Sequence, residues 1–127
     1  MMSQKLEIII NQAIKKANEL HHEYLTLENI LWAMLDDEQV RVVLESQGIV
    51  PDEVKKDLEE FFKDEGNFSV LSNDQIEMLS QQQFVDDDLR KLAAESGIKY
   101  QPEISMALQR VIQRAAMHVQ SSGKKHI

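Results

Sequence analysis

The stretch Leu6-Glu7-Ile8-Ile9-Ile10-Asn11-Gln12-Ala13-Ile14-Lys15-Lys16-Ala17 decides the fold. Within it Leu6, Ile9, Ile10, Ala13, Ile14 and Ala17 fall at i, i+3, i+4, i+7, i+8 and i+11, which stacks them on one face of a helix. That helix is expected over about residues 3–20. Moved on by 98 positions, the same pattern recurs one for one as Ile104, Ala107, Leu108, Val111, Ile112 and Ala115. Two amphipathic helices share such spacing easily, but Ile14/Ile112 and Ala17/Ala115 are identities and Lys16/Arg114 keeps its charge. An internal repeat explains this better than coincidence does.

Between the two copies, further short helices are expected. Thr26 is placed to accept a hydrogen bond from a free first-turn amide, ahead of the stripe Leu27, Ile30, Leu31, Met34 and Leu35, so a second helix should end near Asp36. Val40, Val43 and Leu44 mark a third, closed by Gly48, with Ile49 folding back. Pro51 opens a fourth, with Asp52 and Glu53 at its positive end and Val54, Leu58, Phe61 and Phe62 as its buried face. Residues 64–101 are polar, rich in Asp, Gln and Ser, and read as a connector with weak helical patches at Gln75 to Gln82 and Asp87 to Ser96. In the second patch Asp86-Asp87-Asp88 reads as a cap for Leu89, Leu92 and Ala93, and Gly97 as the stop. The expected organisation is one all-α domain over 1–127: a four-helix first repeat (1–63), the connector (64–101) and the start of a second repeat (102–127).

Composition bounds the partners. The chain carries 14 basic and 22 acidic residues for a net charge of −8, which disfavours a phosphate backbone as ligand. It has no cysteine, hence no disulfide, thiolate zinc site or cysteine nucleophile. Its opening residues lack a signal-peptide apolar run, and no stretch is long and apolar enough to cross a bilayer. A cytoplasmic protein that binds neither nucleic acid nor membrane is expected.

The two-repeat plan, the segment Ala17-Asn18-Glu19-Leu20-His21-His22-Glu23-Tyr24-Leu25-Thr26-Leu27-Glu28-Asn29-Ile30-Leu31, and the ending Leu108 to Gly123 with its His118-Val119-Gln120-Ser121-Ser122-Gly123 together resemble the N-terminal domains of the Clp unfoldases, the ClpA branch in particular. The resemblance implies an all-helical module on a hexameric ATP-driven unfoldase. It would capture protein substrates and dock the adaptor ClpS, with degradation carried out by the partner peptidase ClpP. It places the adaptor-facing carboxylates at Glu23 and Glu28, with His22 beside them. The ClpC and ClpB branches are the nearest alternatives.

Position alone would assign both glutamates to the helix dipole; the resemblance reverses that order. An exposed ion pair contributes only about 0.2–1 kcal/mol, so apolar neighbours must supply most of any affinity. Trp32 falls off the stripe of the second helix, which leaves it as such an anchor or, the favoured use, as a contact for a neighbouring helix or the connector. The connector is longer than the ClpA pattern, so no contact is carried over from it. The second repeat lacks counterparts of helices two to four, so the last helix should pack on the first repeat in a monomer or exchange between two chains.

No chemistry of the chain's own is visible. A G-x-x-x-x-G-K-[ST] phosphate loop is absent, so no cofactor and no ATP hydrolysis are expected of this chain. The rival reading, a metal-dependent hydrolase built on His21, His22 and Glu23, suffers from three consecutive side chains fanning around a helix end with no H-E-x-x-H spacing. His21 and His118 project onto apolar stripes and are expected as structural core-edge residues.

Overall fold

A computed structural model describes the backbone of residues 4–122 and the side chains of residues 4–117 except that of Glu65. His118 and the stretch to Gly123 therefore lie outside the described side chains. The fold is all-α. Along the chain come α1 (Gln4–Glu19), β1 (Tyr24–Leu25), α2 (Leu27–Met34), α3 (Glu38–Ser46), α4 (Pro51–Phe62), a short 3-10 turn (Glu65–Asn67), α5 (Asn73–Gln83), α6 (Asp87–Glu95), β2 (Glu103–Ile104) and α7 (Met106–Ser122).

Local chemistry sets most of these boundaries. The Thr26 hydroxyl accepts from the Asn29 amide at 3.3 Å while the Asn29 side chain accepts from the Thr26 amide at 2.9 Å, a reciprocal cap that starts α2. Ser72 and Gln75 repeat the device at α5, at 3.2 and 2.8 Å. Asp37 caps α3 and Asp86 caps α6 through their carboxylates. Gly48, at φ 78°, closes α3: its amide reaches Glu45 O and that of Ile49 reaches back to Leu44 O at 2.9 Å.

α1 ends by the same geometry without a glycine. The His21 amide bonds Asn18 O and the His22 amide bonds Ala17 O, with His21 itself at φ 60°. Because α1 stops at Glu19, the helical projection that put His21 on the apolar stripe no longer applies. His21 is half-buried, and it is His22 that turns inward, 2% exposed.

Ile9, Ala13, Ala17, Leu25, Ala33 and Leu108 form the main core, with Ile14, Ile30, Trp32 and Met34 packed around it. The α1 stripe thus meets α2, and α7 joins through Leu108. Other apolar positions are left uncovered. Phe61 on α4 is 41% exposed, against the expectation that it lines a buried face, and Val43 on α3 and Leu89 and Leu92 on α6 are 60%, 55% and 61% exposed. On α7, Val111 and Ile112 also face outward.

A second cluster, Leu71, Ile76 and Tyr100 with Leu79, lies within residues 64–101 and is fastened to α1 through Asn18. Asn18 is its clamp: Nδ2 donates to Tyr100 O at 3.0 Å, and Oδ1 accepts from the amides of Lys99 and Tyr100 at 2.8 and 3.2 Å. The Tyr100 hydroxyl donates to His22 O at 2.6 Å, and burial holds its pKa well above the ordinary phenol value.

Candidate functional site

His22 and β1 lie between two partner segments. On one side β1 pairs in parallel with β2, Tyr24 against Glu103 and Leu25 against Ile104. On the other, His22 bridges Val70 in antiparallel sense, with Glu23 N donating to Ser69 O at 2.9 Å and Leu71 N to His21 O at 2.7 Å. This stretch is fixed on both edges by backbone hydrogen bonds, which short extended pieces need if they are to hold still.

Glu23 is half-buried. Its Oε1 accepts from the Ser69 hydroxyl at 2.7 Å, and its backbone carbonyl accepts from Glu103 N at 3.1 Å. Glu28 lies in the first turn of α2, where the helix dipole favours a carboxylate. It is partly exposed, and its side chain makes no hydrogen bond or ion pair among the described residues. Both expected carboxylates are therefore accessible, one held by a hydroxyl and one unheld.

His22 and Trp32 stand elsewhere. The His22 ring stacks on Phe68 at 4.5 Å and meets Phe62 edge-on at 5.9 Å, with its Nδ1 buried and without a hydrogen-bond partner. Burial lowers its pKa and so favours the neutral imidazole. As the inward residue of this stretch it supports the acidic surface from beneath and does not extend it. Trp32 is roofed by two cations, Lys16 Nζ at 4.8 Å and Lys55 Nζ at 4.5 Å from the ring centroid, and its Nε1 donates to Glu59 at 3.3 Å. It joins α2 to α1 and α4, the favoured of its two expected uses.

Three residues outside the expected set complete the surface. Tyr24, Phe68 and Met106, with Thr26 and Ser69, line an open hollow of about 290 Å³ floored by His22. The sequence signal for Phe68 is its isolation as an aromatic in a polar stretch; Ser69 and Met106 carry none. Among the described residues, no three His, Asp or Glu side chains converge as a metal site would need.

The family model for the Clp repeat (R) N-terminal domain matches residues 1–78, more than half of the chain, and the chain belongs to that family. It is similar to a ClpA homolog protein of Fuscovulum blasticum, 33% identical over 126 residues, which covers 98% of this chain. The chain spans 13% of the length of that relative. No helix among the described residues is long and apolar enough to cross a membrane.

Proposed function

We propose that this chain is the protein-recruiting N-terminal module of a ClpA-type unfoldase. It binds protein substrates and a ClpS-type adaptor in the cytoplasm and passes them, through the motor of the full-length protein, to ClpP. The chain itself performs no chemistry.

The observation that carries this reading is the accessible carboxylate pair. Glu23 sits beside β1 on a backbone held from both sides and Glu28 in the first turn of α2, so a partner's lysines or amides meet one steadied carboxylate and one free to adjust. The similarity to a ClpA homolog supports the same partner class.

Titrating the chain with ClpS tests the proposal. Saturable binding is expected, weakened by Glu23→Lys and by Glu28→Lys with far-UV circular dichroism unchanged. Unaltered affinity in both variants would remove the assignment of these two residues.

A further inference from the structure

Charge on this surface accounts for encounter and orientation, and exposed ion pairs add only roughly severalfold in affinity each. A docked protein needs an apolar anchor as well. Trp32 is not available for that purpose, since Lys16 and Lys55 cover its ring and Glu59 takes its N–H.

The hollow beside Glu23 has the required properties. Tyr24, the next residue after Glu23, is 38% exposed, and Met106 is 66% exposed at the mouth, while the floor is a buried imidazole stacked on Phe68. Its volume, about 290 Å³, is at the small end of ligand pockets and suits side chains better than a cofactor. Ser69 links it to the acidic pair, lining the hollow while its hydroxyl holds Glu23 Oε1. The carboxylate that adjoins it is Glu23, on a chain of net charge −8. An apolar residue inserted here would sit on a segment whose flanking residues meet carboxylates, and lysine or arginine flanks satisfy them.

We infer that the hollow between Tyr24, Phe68 and Met106 seats one apolar side chain of the docked adaptor, presented on a basic segment. This rests on the docking function proposed above and adds to it the group that supplies affinity. Tyrosine and methionine suit the rim of such a seat, because both bury large area and methionine adapts its shape to the guest.

The test is a titration of the chain with ClpS across four variants. Met106→Gln keeps a good helix former in the first turn of α7 while the mouth of the hollow becomes polar without a change of charge. Tyr24→Ser removes the rim aromatic. Each is expected to weaken binding about tenfold or more at low and high salt alike. Glu23→Lys and Glu28→Lys are expected to weaken it less, by an amount that shrinks as salt rises. Full affinity in both hollow variants, with the glutamate variants weakened, overturns the hollow and leaves the docking function standing. Failure of the unmodified chain to bind ClpS overturns both.

Discussion

Replacing Asn18 with alanine is expected to cost about 3 kcal/mol. The Asn18 amide uses its whole hydrogen-bonding capacity: Nδ2 donates to Ile14 O and Tyr100 O, both at 3.0 Å, and Oδ1 accepts from Lys99 N and Tyr100 N at 2.8 and 3.2 Å. Truncation leaves the amide and carbonyl of Tyr100 without partners around a residue that is 1% exposed. Each buried orphan costs about 1–3 kcal/mol, and Lys99 N, on an exposed residue, is counted as recovered by water. For a domain of this size a loss of about 3 kcal/mol lowers the melting temperature by about 10 °C. Urea unfolding followed in parallel by circular dichroism and by Trp32 fluorescence measures it, since Trp32 reports on the main core. Asn18→Asp is the sharper companion. It sets a carboxylate oxygen where Nδ2 now faces two carbonyls, so its deficit relative to the unmodified chain should shrink as acid protonates it. Deficits below about 1 kcal/mol in both variants would refute the view that this clamp holds residues 64–101 to α1.

The remaining predictions address single features. Because burial depresses the pKa of His22 in the fold below its ordinary 6.5, the unfolded chain binds the extra proton first. Stability is therefore full above pH about 6.5 and falls as the pH drops below it, and His22→Phe should flatten that slope in urea midpoints taken across the range. His21→Gly relieves a side chain at φ 60° and should stabilise by about 0.5–1 kcal/mol, whereas Gly48→Ala, at φ 78° with open space around it, should lose about 1 kcal/mol by thermal melting. Trp32→Leu is expected to lower the melting temperature yet leave ClpS affinity unchanged in the same titration; a large affinity loss would return Trp32 to the interface. Ser69→Ala frees the Glu23 carboxylate and should weaken ClpS binding about two- to fivefold through lost preorganisation, with little change in melting.

What could be read from the sequence was what neighbouring residues determine. The Thr26 cap, the Gly48 and Gly97 stops and the face of α1 follow from side chains within four positions of one another, and the structure has them. The patches read as weak helices form as α5 and α6 because Ser72 and Asp86 cap them. What failed, at Phe61, was the step from an apolar stripe to a buried one. Val43, Phe61, Leu89 and Leu92 keep helical spacing but remain exposed, because periodicity shows that a face exists and not that another element lies over it. The histidines exchanged roles for a related reason: a helix projection extended two residues past Glu19 turns the wrong ring inward. The Asn18 and Tyr100 contact spans 82 residues and has no local signature. At the candidate surface the resemblance placed Glu23 and Glu28 where carboxylates are accessible, but the hollow depends on Phe68, Ser69 and Met106 arriving from two distant segments.

The backbone around Glu23 explains why so polar a surface is built over so apolar a floor. The chain bends at Glu23, between the bridge at His22 and β1, and the two side chains part there: the His22 ring is 2% exposed while the Glu23 carboxylate meets the Ser69 hydroxyl at the surface. Phe68 stacks on the inward His22 ring and Phe62 meets it edge-on, and the outward carboxylate of Glu23 is steadied by Ser69, the residue next to Phe68. One segment, Asn67 to Leu71, therefore anchors the interior ring and orients the exterior charge together. The arrangement lowers the ordering cost that a partner would otherwise meet, which is where individually weak surface charges gain leverage. It also exposes the surface to loss from within. Loosening Phe68 frees Ser69 as well, so Phe68→Ala should weaken partner binding more than Ser69→Ala does, even though its own ring contacts are with His22, Phe61 and Phe62.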